Sequence, residues 1–331
     1  MMTTSHSSIA VLGAGAWGTA LAILLARNGQ AVRLWDVDKK HLLQMQSTRQ
    51  FSDVILPDLL TIETELKNAV RDITDICLVI PSFAFRSVLQ ELKSIVPATV
   101  RFVWGTKGLD PENQGFLHQA VFDIFSNKTP VAALAGPSFA KEVAMGVPTA
   151  VSLAGNNKDF LESLSHRFNS DNFHVYINVD LIGVQLCAVV KNVMAIAVGI
   201  SDGLGFGTNT KCALITRGLS EMGNLCETLG GKRETTMSLA GVGDLVLTCT
   251  DNQSRNRRFG LLIGKGSAAE KALKEIDESV EGYYNAKQLF LLAQKNKVHM
   301  PISEEVYRIL YENNSAKNII KELLSREITA E

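Results

Sequence analysis

The chain has 331 residues, of which 46% are hydrophobic and 20% are charged, and its formal net charge is −1. This length and composition predict a globular protein of about two domains. A near-neutral charge gives no electrostatic reason to expect a nucleic acid or an anionic membrane surface as a partner. The N-terminal MMTTSHSS lacks the regions of a signal peptide, and Lys191 and Asn192 interrupt the longest apolar stretch, so we expect no membrane span.

The five cysteines are widely spaced along the chain. That spacing is more typical of reduced thiols in a cytoplasmic protein than of a disulfide framework. No HExxH motif, CxxC pair or carboxylate cluster points to a metal site. The six histidines are expected to lie away from the glycine-rich turns, which disfavours a histidine general base.

A glycine-rich turn follows the first predicted strand. The apolar run 9–12 is followed by GAGAWG at 13–18 and then by a helical pattern. Strand, turn and helix in this order are typical of a dinucleotide site, with Gly13 for the tight turn, Gly15 for close approach of the pyrophosphate and Gly18 for helix packing. A turn that binds nothing is the alternative.

The second predicted strand, 31–35, ends at Asp36. A carboxylate at this position accepts hydrogen bonds from the ribose hydroxyls of NAD and repels the 2′-phosphate of NADP, so Asp36 favours NAD. A loop aspartate without a role is the alternative. Because Arg33, Lys39 and Lys40 lie nearby and offer positive charge to a phosphate, the predicted coenzyme is NAD or NADP.

Further strands and helices alternate up to about residue 180. The alternation predicts an α/β fold with a mostly parallel, Rossmann-like sheet covered on both faces. Ligands of such sheets bind at the carboxyl ends of the strands, where Pro81, Lys107, Gly136 and Ser138 are expected. The predicted strands are 75–80, 99–104, 131–135 and 149–154, the predicted helices are 38–47, 87–95 and 114–125, and 50–58 is predicted to be a loop.

From about residue 180 the alternation stops and long helical patterns follow. We therefore predict a dinucleotide-binding domain over 1–180 and an all-helical substrate or catalytic domain over 181–331. The predicted helices are 181–200, 209–229, 283–295 and 303–312.

Lys191 and Asn192 are the strongly polar residues of an otherwise apolar helical stretch. Burial lowers the pKa of a lysine, which enables it to exchange a proton near neutral pH. A snorkelling side chain or a buried ion pair is the alternative. Asp244, which follows a glycine turn, is the candidate partner, although an aspartate in this position is also typical of a helix cap.

The segment Ser254-Arg255-Asn256 supplies a forked cation beside an amide donor, which suits a phosphate monoester. The alternative is a solvated basic turn, and that interpretation is favoured for Arg257 and Arg258.

Two residues at strand ends have similarly open assignments. Lys107 is placed to hold a substrate oxygen or phosphate, or is a surface lysine. Ser138 contacts substrate, or caps a helix.

Taken together, these motifs resemble the bacterial NAD(P)-dependent sn-glycerol-3-phosphate dehydrogenases over nearly the whole chain. In order they are GAGAWGTA (13–20), PS (81–82), GTKG (105–108), AGPSFA (135–140), VKNV (190–193), GVGDL (241–245), SRN (254–256) and VEG (280–282).

The resemblance implies a Rossmann-like domain followed by an all-helical domain, as in 6-phosphogluconate dehydrogenases. It implies hydride transfer between dihydroxyacetone phosphate and glycerol 3-phosphate in a cytoplasmic homodimer that supplies glycerophospholipid synthesis. Lys191 is then the proton donor or acceptor at the C2 oxygen, assisted by Lys107 and Asp244.

The same motifs imply two sets of binding residues. The substrate residues are Lys107, Gly136, Ser138, Lys191, Asp244, Ser254, Arg255 and Asn256. The coenzyme residues are Gly13, Gly15, Ala16, Trp17, Gly18, Asp36, Pro81, Lys107, Ala140, Arg255 and Glu281.

Two segments depart from the family pattern. Many relatives carry a neutral or basic residue at the position near Asp36. The segment 49–57 also differs from the family pattern, so the contacts of that segment are not carried over.

Two alternative functions stay open. One is a two-domain dehydrogenase of the 6-phosphogluconate or β-hydroxyacid type, and the other is a non-catalytic NAD(H)-sensing module.

Overall fold

The computed structural model describes residues 8–317. The chain divides into two compact units, one comprising Met1–Thr106 with Leu117–Leu181 and the other Lys107–Phe116 with Ile182–Glu331. The segment Lys107–Phe116 therefore groups with the second unit, although it falls within the range 1–180.

The first unit is built on a sheet of eight strands in the order β10-β9-β8-β7-β6-β1-β2-β5. All neighbouring pairs are parallel except β8 and β9, which confirms the mostly parallel α/β sheet. The elements of this unit are β1 (Ile9–Leu12), α1 (Ala16–Arg27), β2 (Val32–Trp35), α2 (Lys39–Thr48), β3 (Gln50–Phe51), β4 (Val54–Ile55), β5 (Leu60–Glu63), α3 (Leu66–Val70), β6 (Asp75–Leu78), α4 (Ser82–Leu92), β7 (Arg101–Trp104), α5 (Leu117–Ile124), β8 (Val131–Ala135), α6 (Ala140–Met145), β9 (Thr149–Gly155), α7 (Lys158–Phe168) and β10 (Phe173–Asn178).

Strand β1 lies between β2 and β6, with Ile9 opposite both Val32 and Asp75. All four residues of β1 are fully buried, as expected for a strand covered on both faces. The strand order reverses at β1, and such a reversal opens a crevice at the carboxyl ends of the strands. The glycine-rich turn begins at this point.

The predicted loop over 50–58 instead contains a short hairpin, in which β3 pairs antiparallel with β4. Arg49, in a left-handed conformation with φ of 52°, donates hydrogen bonds to the carbonyls of Leu56, Pro57 and Leu60. The prediction was wrong because strands this short leave no periodic signal.

The second unit is helical in its described part beyond residue 181, which confirms the predicted helical C-terminal region. A short 3₁₀ helix (Arg233–Met237) and a π turn (Leu239–Gly243) precede α10. The helices are α8 (Leu181–Gly203), α9 (Thr208–Thr228), α10 (Asp244–Thr250), α11 (Arg255–Gly264), α12 (Ala269–Ile276), α13 (Glu281–Lys295) and α14 (Pro301–Tyr311).

Helix α8 is the one described helix long and apolar enough, by length and composition, to cross a membrane. In this protein 89% of its apolar stretch is buried, which is the behaviour of a core helix.

Helices α8 and α11 touch backbone to backbone through glycines. A Cβ added at Gly199 would lie 2.1 Å from the carbonyl oxygen of Arg257, and one added at Gly260 would lie 2.2 Å from that of Ile196. Any larger residue would push the helices apart. This close approach brings Asn256 beside Asn192.

Candidate active site

The glycine turn of the first unit leaves no room for side chains at two of its three glycines. Gly13 has a φ of 110°, and a Cβ there would lie 2.2 Å from the carbonyl oxygen of Val79. At Gly18 a Cβ would lie 1.8 Å from the carbonyl oxygen of Gly13. Gly15 has no atom within 4 Å of its Cβ position, and as the N-cap of α1 it has no side chain capping the helix. The open space before a helix N-terminus fits a pyrophosphate.

The Ala14 peptide within this turn is held on both sides. Its N–H donates to Asp36 Oδ2 at 2.6 Å. Its carbonyl accepts from Thr19 Oγ1 at 3.0 Å and lies 3.2 Å from His41 Nε2. The expectation that every histidine lies away from the glycine turns is therefore wrong for His41. Asp38 caps α2 by accepting from the His41 N–H, which places His41 on the first turn of that helix.

Asp36 is the carboxylate at the end of β2, and two of the nearby cations are already paired. Arg33 donates to the carbonyls of Asn68 at 2.9 Å and Arg71 at 2.6 Å. Lys39 pairs with Glu65. Arg33 is thus engaged by two carbonyls, whereas Lys39, whose pair with Glu65 is exposed, and Lys40 remain available to a 2′-phosphate.

Trp17 packs against the end of β7. A Cβ at Gly105 would lie 2.5 Å from Trp17 Nε1, so the indole requires a glycine there. The buried Nε1 has no hydrogen-bond partner within residues 8–317. An unpaired buried donor beside the glycine turn is consistent with a ligand on this side of the sheet.

Four more predicted residues follow the carboxyl ends of strands in the first unit, namely Pro81 after β6 and Gly136, Ser138 and Ala140 after β8. Pro81 caps α4 immediately after β6, and Ala140 begins α6 and packs against the apolar core of this unit. Ser138 Oγ donates to the Gly136 carbonyl at 2.9 Å. The N-cap of α6 is Phe139, so the alternative that Ser138 caps this helix is wrong.

In the second unit two lysines share one buried carboxylate. Lys191 Nζ lies 2.7 Å from Asp244 Oδ1, and Lys107 Nζ lies 3.2 Å from Asp244 Oδ2. Two ammonium groups against one carboxylate leave an excess positive charge, which suits an anionic or electron-rich ligand.

Thr248 completes this cluster and was not predicted. Its hydroxyl accepts from Lys191 Nζ at 2.9 Å and donates to the carbonyl of Asp244 at 2.6 Å. The spacing of four residues from Asp244 was the available signal, because such residues share a helix face. Asp244 and Thr248 use two of the three ammonium protons of Lys191, which leaves one donor for a ligand.

The electrostatics of the cluster match a proton-exchange site. Burial lowers the pKa of Lys191 from 10.5 to about 7; Asp244 opposes this shift and Lys107 adds to it. Burial alone would raise the pKa of Asp244, but Lys107 and Lys191 together hold it below its usual value. Asp244 thus stays a carboxylate while Lys191 titrates near neutrality.

Asn256 links three elements beside the cluster. Its Nδ2 donates to Asn192 Oδ1 at 2.9 Å, and its Oδ1 accepts from the Gly282 N–H at 2.9 Å. A Cβ at Gly282 would lie 2.7 Å from Asn256 Oδ1, so this contact requires a glycine. Predicted Glu281 begins α13 immediately before it.

The neighbouring residues of α11 have separate roles. Ser254 caps the helix by accepting from the Arg257 N–H at 3.2 Å. The Arg255 side chain is 38% exposed and lies 3.4 Å from Glu278, and Arg258, 42% exposed, lies 3.5 Å from the same carboxylate. Arg257 instead is buried and pairs with Asp202, so the prediction of a solvated side chain is wrong for Arg257. No local pattern pointed to this partner, because Asp202 lies 55 positions away from Arg257.

Comparisons with known proteins identify the family of the chain. The family model described as NAD-dependent glycerol-3-phosphate dehydrogenase N-terminus matches residues 8–161, and the model for its C-terminus matches 180–321.

Relatives match over their full length. The chain is 49% identical over 327 residues to glycerol-3-phosphate dehydrogenase (NAD(P)+) of Coxiella burnetii strain RSA 331 / Henzerling II, covering 98% of each chain. It is 47% identical over 335 residues to the protein of that name from Haemophilus influenzae strain Rd, covering 100% of each. The crystal structure of glycerol-3-phosphate dehydrogenase from Coxiella burnetii matches with a TM-score of 0.94 at 49% identity, covering 97% of this chain and 99% of that chain. The chain belongs to the NAD-dependent glycerol-3-phosphate dehydrogenase family.

Proposed function

We propose that this chain is an NAD(P)-dependent dehydrogenase that interconverts dihydroxyacetone phosphate and sn-glycerol 3-phosphate. The observation that carries the proposal is the buried Lys191 ammonium, bonded to Asp244 and Thr248 and lowered in pKa to about 7. Reduction of a ketone requires a hydride at carbon and a proton at oxygen, and this group is suited to supply the proton.

The first unit binds the coenzyme. The turn around Gly13, Gly15 and Gly18 receives the pyrophosphate, Asp36 receives the ribose, and Ala16 and Trp17 lie at the start of the helix that faces it. NAD(P)H bound there supplies the hydride that C2 of the ketone accepts. Pro81, Lys107, Ala140, Arg255 and Glu281 are assigned to the same coenzyme by the family motifs.

The second unit handles the proton and the negative charge. Lys191 donates its unbonded proton to the C2 oxygen as that oxygen gains charge, and it receives the proton back in the oxidation direction. Lys107, whose side chain is 18% exposed, stabilises the same oxygen electrostatically. Asp244 keeps both ammonium groups in place.

The phosphate of the substrate is assigned to Arg255 and Asn256. The Arg255 guanidinium is half-exposed, and its partner Glu278 is likewise exposed, so a phosphate can replace that partner at little cost. Asn256 Nδ2 keeps one proton beyond its bond to Asn192. Ser254, Gly136 and Ser138 are assigned to the substrate by the motifs.

Asp36 favours NAD over NADP. Its carboxylate is fixed by the Ala14 and Asp38 amides, and Arg33 is engaged by the carbonyls of Asn68 and Arg71. A 2′-phosphate would meet a fixed negative charge.

A coenzyme-resolved assay tests the function. Purified protein is given dihydroxyacetone phosphate with NADH or NADPH, and absorbance at 340 nm is followed. We expect oxidation of the coenzyme that depends on the substrate. A flat trace with both coenzymes, together with turnover of a β-hydroxyacid, would identify the other class of dehydrogenase. Coenzyme binding without turnover of either substrate would identify a sensor.

The proposal includes a cytoplasmic homodimer that supplies glycerophospholipid synthesis. The five cysteines are free thiols and four of them are buried, which fits a reducing compartment. Light scattering coupled to size exclusion tests the dimer, and a mass near the 36.0 kDa of one chain would contradict it.

A further inference from the structure

Asn285 lies in the second turn of α13 and is fully buried. Its Nδ2 donates a hydrogen bond of 3.1 Å to the main-chain carbonyl of Lys107, 178 positions earlier in the chain. The opposite orientation of the amide would set two oxygen atoms against each other, so this bond fixes the amide orientation. Asn285 matches no motif that predicted a site residue.

The bond acts on a segment that has little other regular structure. Lys107 begins the stretch Lys107–Phe116, which lies between β7 and α5 and contains one isolated bridge, Asp110 with Gly115. Where the Lys107 ammonium lies depends on where this main chain lies. The anchor on its carbonyl therefore helps to set the 3.2 Å distance from Lys107 Nζ to Asp244.

The oxygen atom of the Asn285 amide argues against a purely structural role for this residue. Asn285 Oδ1 is buried and has no hydrogen-bond partner within residues 8–317. A buried polar atom without a partner lowers the stability of a fold, so this oxygen contributes nothing to it.

We propose that Asn285 is a positioning residue for the reaction, which holds the Lys107 main chain so that the Lys107 ammonium stays on Asp244 beside Lys191. This inference rests on the proposed function, because the place of Lys107 matters only if the cluster handles the substrate oxygen. Asn285 acts through Lys107 and is assigned no contact with substrate.

The test compares N285L, K107M and the double variant with the wild type. N285L removes the donor and the unpaired oxygen at nearly constant volume. We expect kcat to fall between about tenfold and a hundredfold. The melting temperature should fall only slightly, because N285L removes the unpaired Oδ1 but also leaves the Lys107 carbonyl without this donor. Because Lys107 is also assigned to the coenzyme, NADH affinity should fall no further in N285L than in K107M. In the K107M background, N285L is expected to cause little further loss, because both changes act through one group.

The pH profile gives a second readout that a structural defect would not move. The charged groups that act on Lys191 are Asp244 and Lys107, and the Cys249 thiol is nearby. Lys107 lowers the pKa of Lys191, so a displaced Lys107 lowers it less. The pH at which kcat changes, near 7 in the wild type, should therefore be higher in N285L. We expect a shift in the same direction in K107M.

Asn296 provides the matched control. It lies at the end of the same helix, and its Nδ2 donates to the Leu292 carbonyl at 2.8 Å. N296L removes a comparable bond far along α13 and should leave kcat and the pH limb unchanged. N285A, which removes the same donor without bulk, replaces N285L if that variant does not fold.

The outcomes separate this inference from the function. If the wild type turns over but N285L matches it, or if the losses of N285L and K107M multiply fully, the positioning role is overturned while the function stands. If the wild type is inactive with both coenzymes, the function fails and the positioning role fails with it.

Discussion

The Lys191 ammonium lies 2.7 Å from the Asp244 carboxylate, and the two side chains are only 6% and 1% exposed. A buried pair of this kind loses solvation that its mutual attraction does not fully restore, so it is weak evidence for a stabilising role. Here Lys107 adds a second positive charge to the same carboxylate. This cluster thus lowers the stability of the fold, but it provides a Lys191 ammonium that can release its proton near neutral pH.

Replacing Lys191 by methionine should abolish most turnover. The proton transfer that it supplies is typically worth about 10²–10⁴-fold in rate, so kcat should fall by that order. NADH affinity, measured by fluorescence titration, should stay near the wild-type value, because the predicted pyrophosphate and ribose contacts lie in the first unit. Lys295→Met, at an exposed lysine of α13, is the control and should be fully active. Near-normal kcat in Lys191→Met would make Lys191 a structural residue.

The pH dependence should have opposite signs in the two directions of the reaction. Reduction of the ketone needs protonated Lys191, so its kcat should fall as pH rises through about 7. Oxidation of glycerol 3-phosphate needs the neutral amine, so its kcat should rise over the same interval. Stopped-flow single turnovers at pH 6–9 separate this step from product release. If kcat changed with pH in the same sense for reduction and for oxidation, the assignment of Lys191 as the proton donor and acceptor would be contradicted.

The sequence predicted the parts of the site whose signal is local. The turn GAGAWG lies within one strand–turn–helix unit, and Lys191 stands out because its neighbours on α8 are apolar. Both are visible without knowing what packs against them.

The remaining parts depend on contacts between distant segments. His41 reaches the Ala14 carbonyl across 27 positions, and Asn285 reaches Lys107 across 178. No periodic pattern encodes such pairs. A usable signal was overlooked at the four-residue spacing of Gly199 and Gly203 in α8 and of Gly260 and Gly264 in α11, which lets the two helices touch and brings Asn256 to Asn192.

Alanine substitutions in the glycine turn should separate folding from coenzyme binding. Gly18→Ala places a Cβ 1.8 Å from the Gly13 carbonyl oxygen, so it should lower the melting temperature and weaken coenzyme binding together. Gly15→Ala meets no atom within 4 Å and should leave the melting temperature unchanged. It should still weaken NADH binding, since the added methyl occupies the space where backbone amides approach the pyrophosphate. Unchanged NADH affinity in Gly15→Ala would remove this turn from the coenzyme site.

Two substitutions at Asp36 separate its charge from its hydrogen bond with the Ala14 N–H. The wild type should show a higher kcat/KM with NADH than with NADPH by about tenfold or more, since a repulsion of about 1.4 kcal/mol suffices for that ratio. D36N loses the charge but keeps one oxygen to accept from the Ala14 N–H, which donates to Asp36 Oδ2 at 2.6 Å in the wild type. It also loses the bond from the Asp38 N–H, because its other terminal group is an NH2 donor. The ratio should therefore move toward one, mainly because NADPH improves. D36A also releases the Ala14 peptide, so kcat/KM should fall with both coenzymes relative to D36N. A strong NADPH preference in the wild type would show that Lys40 or another cation neutralises the 2′-phosphate despite Asp36.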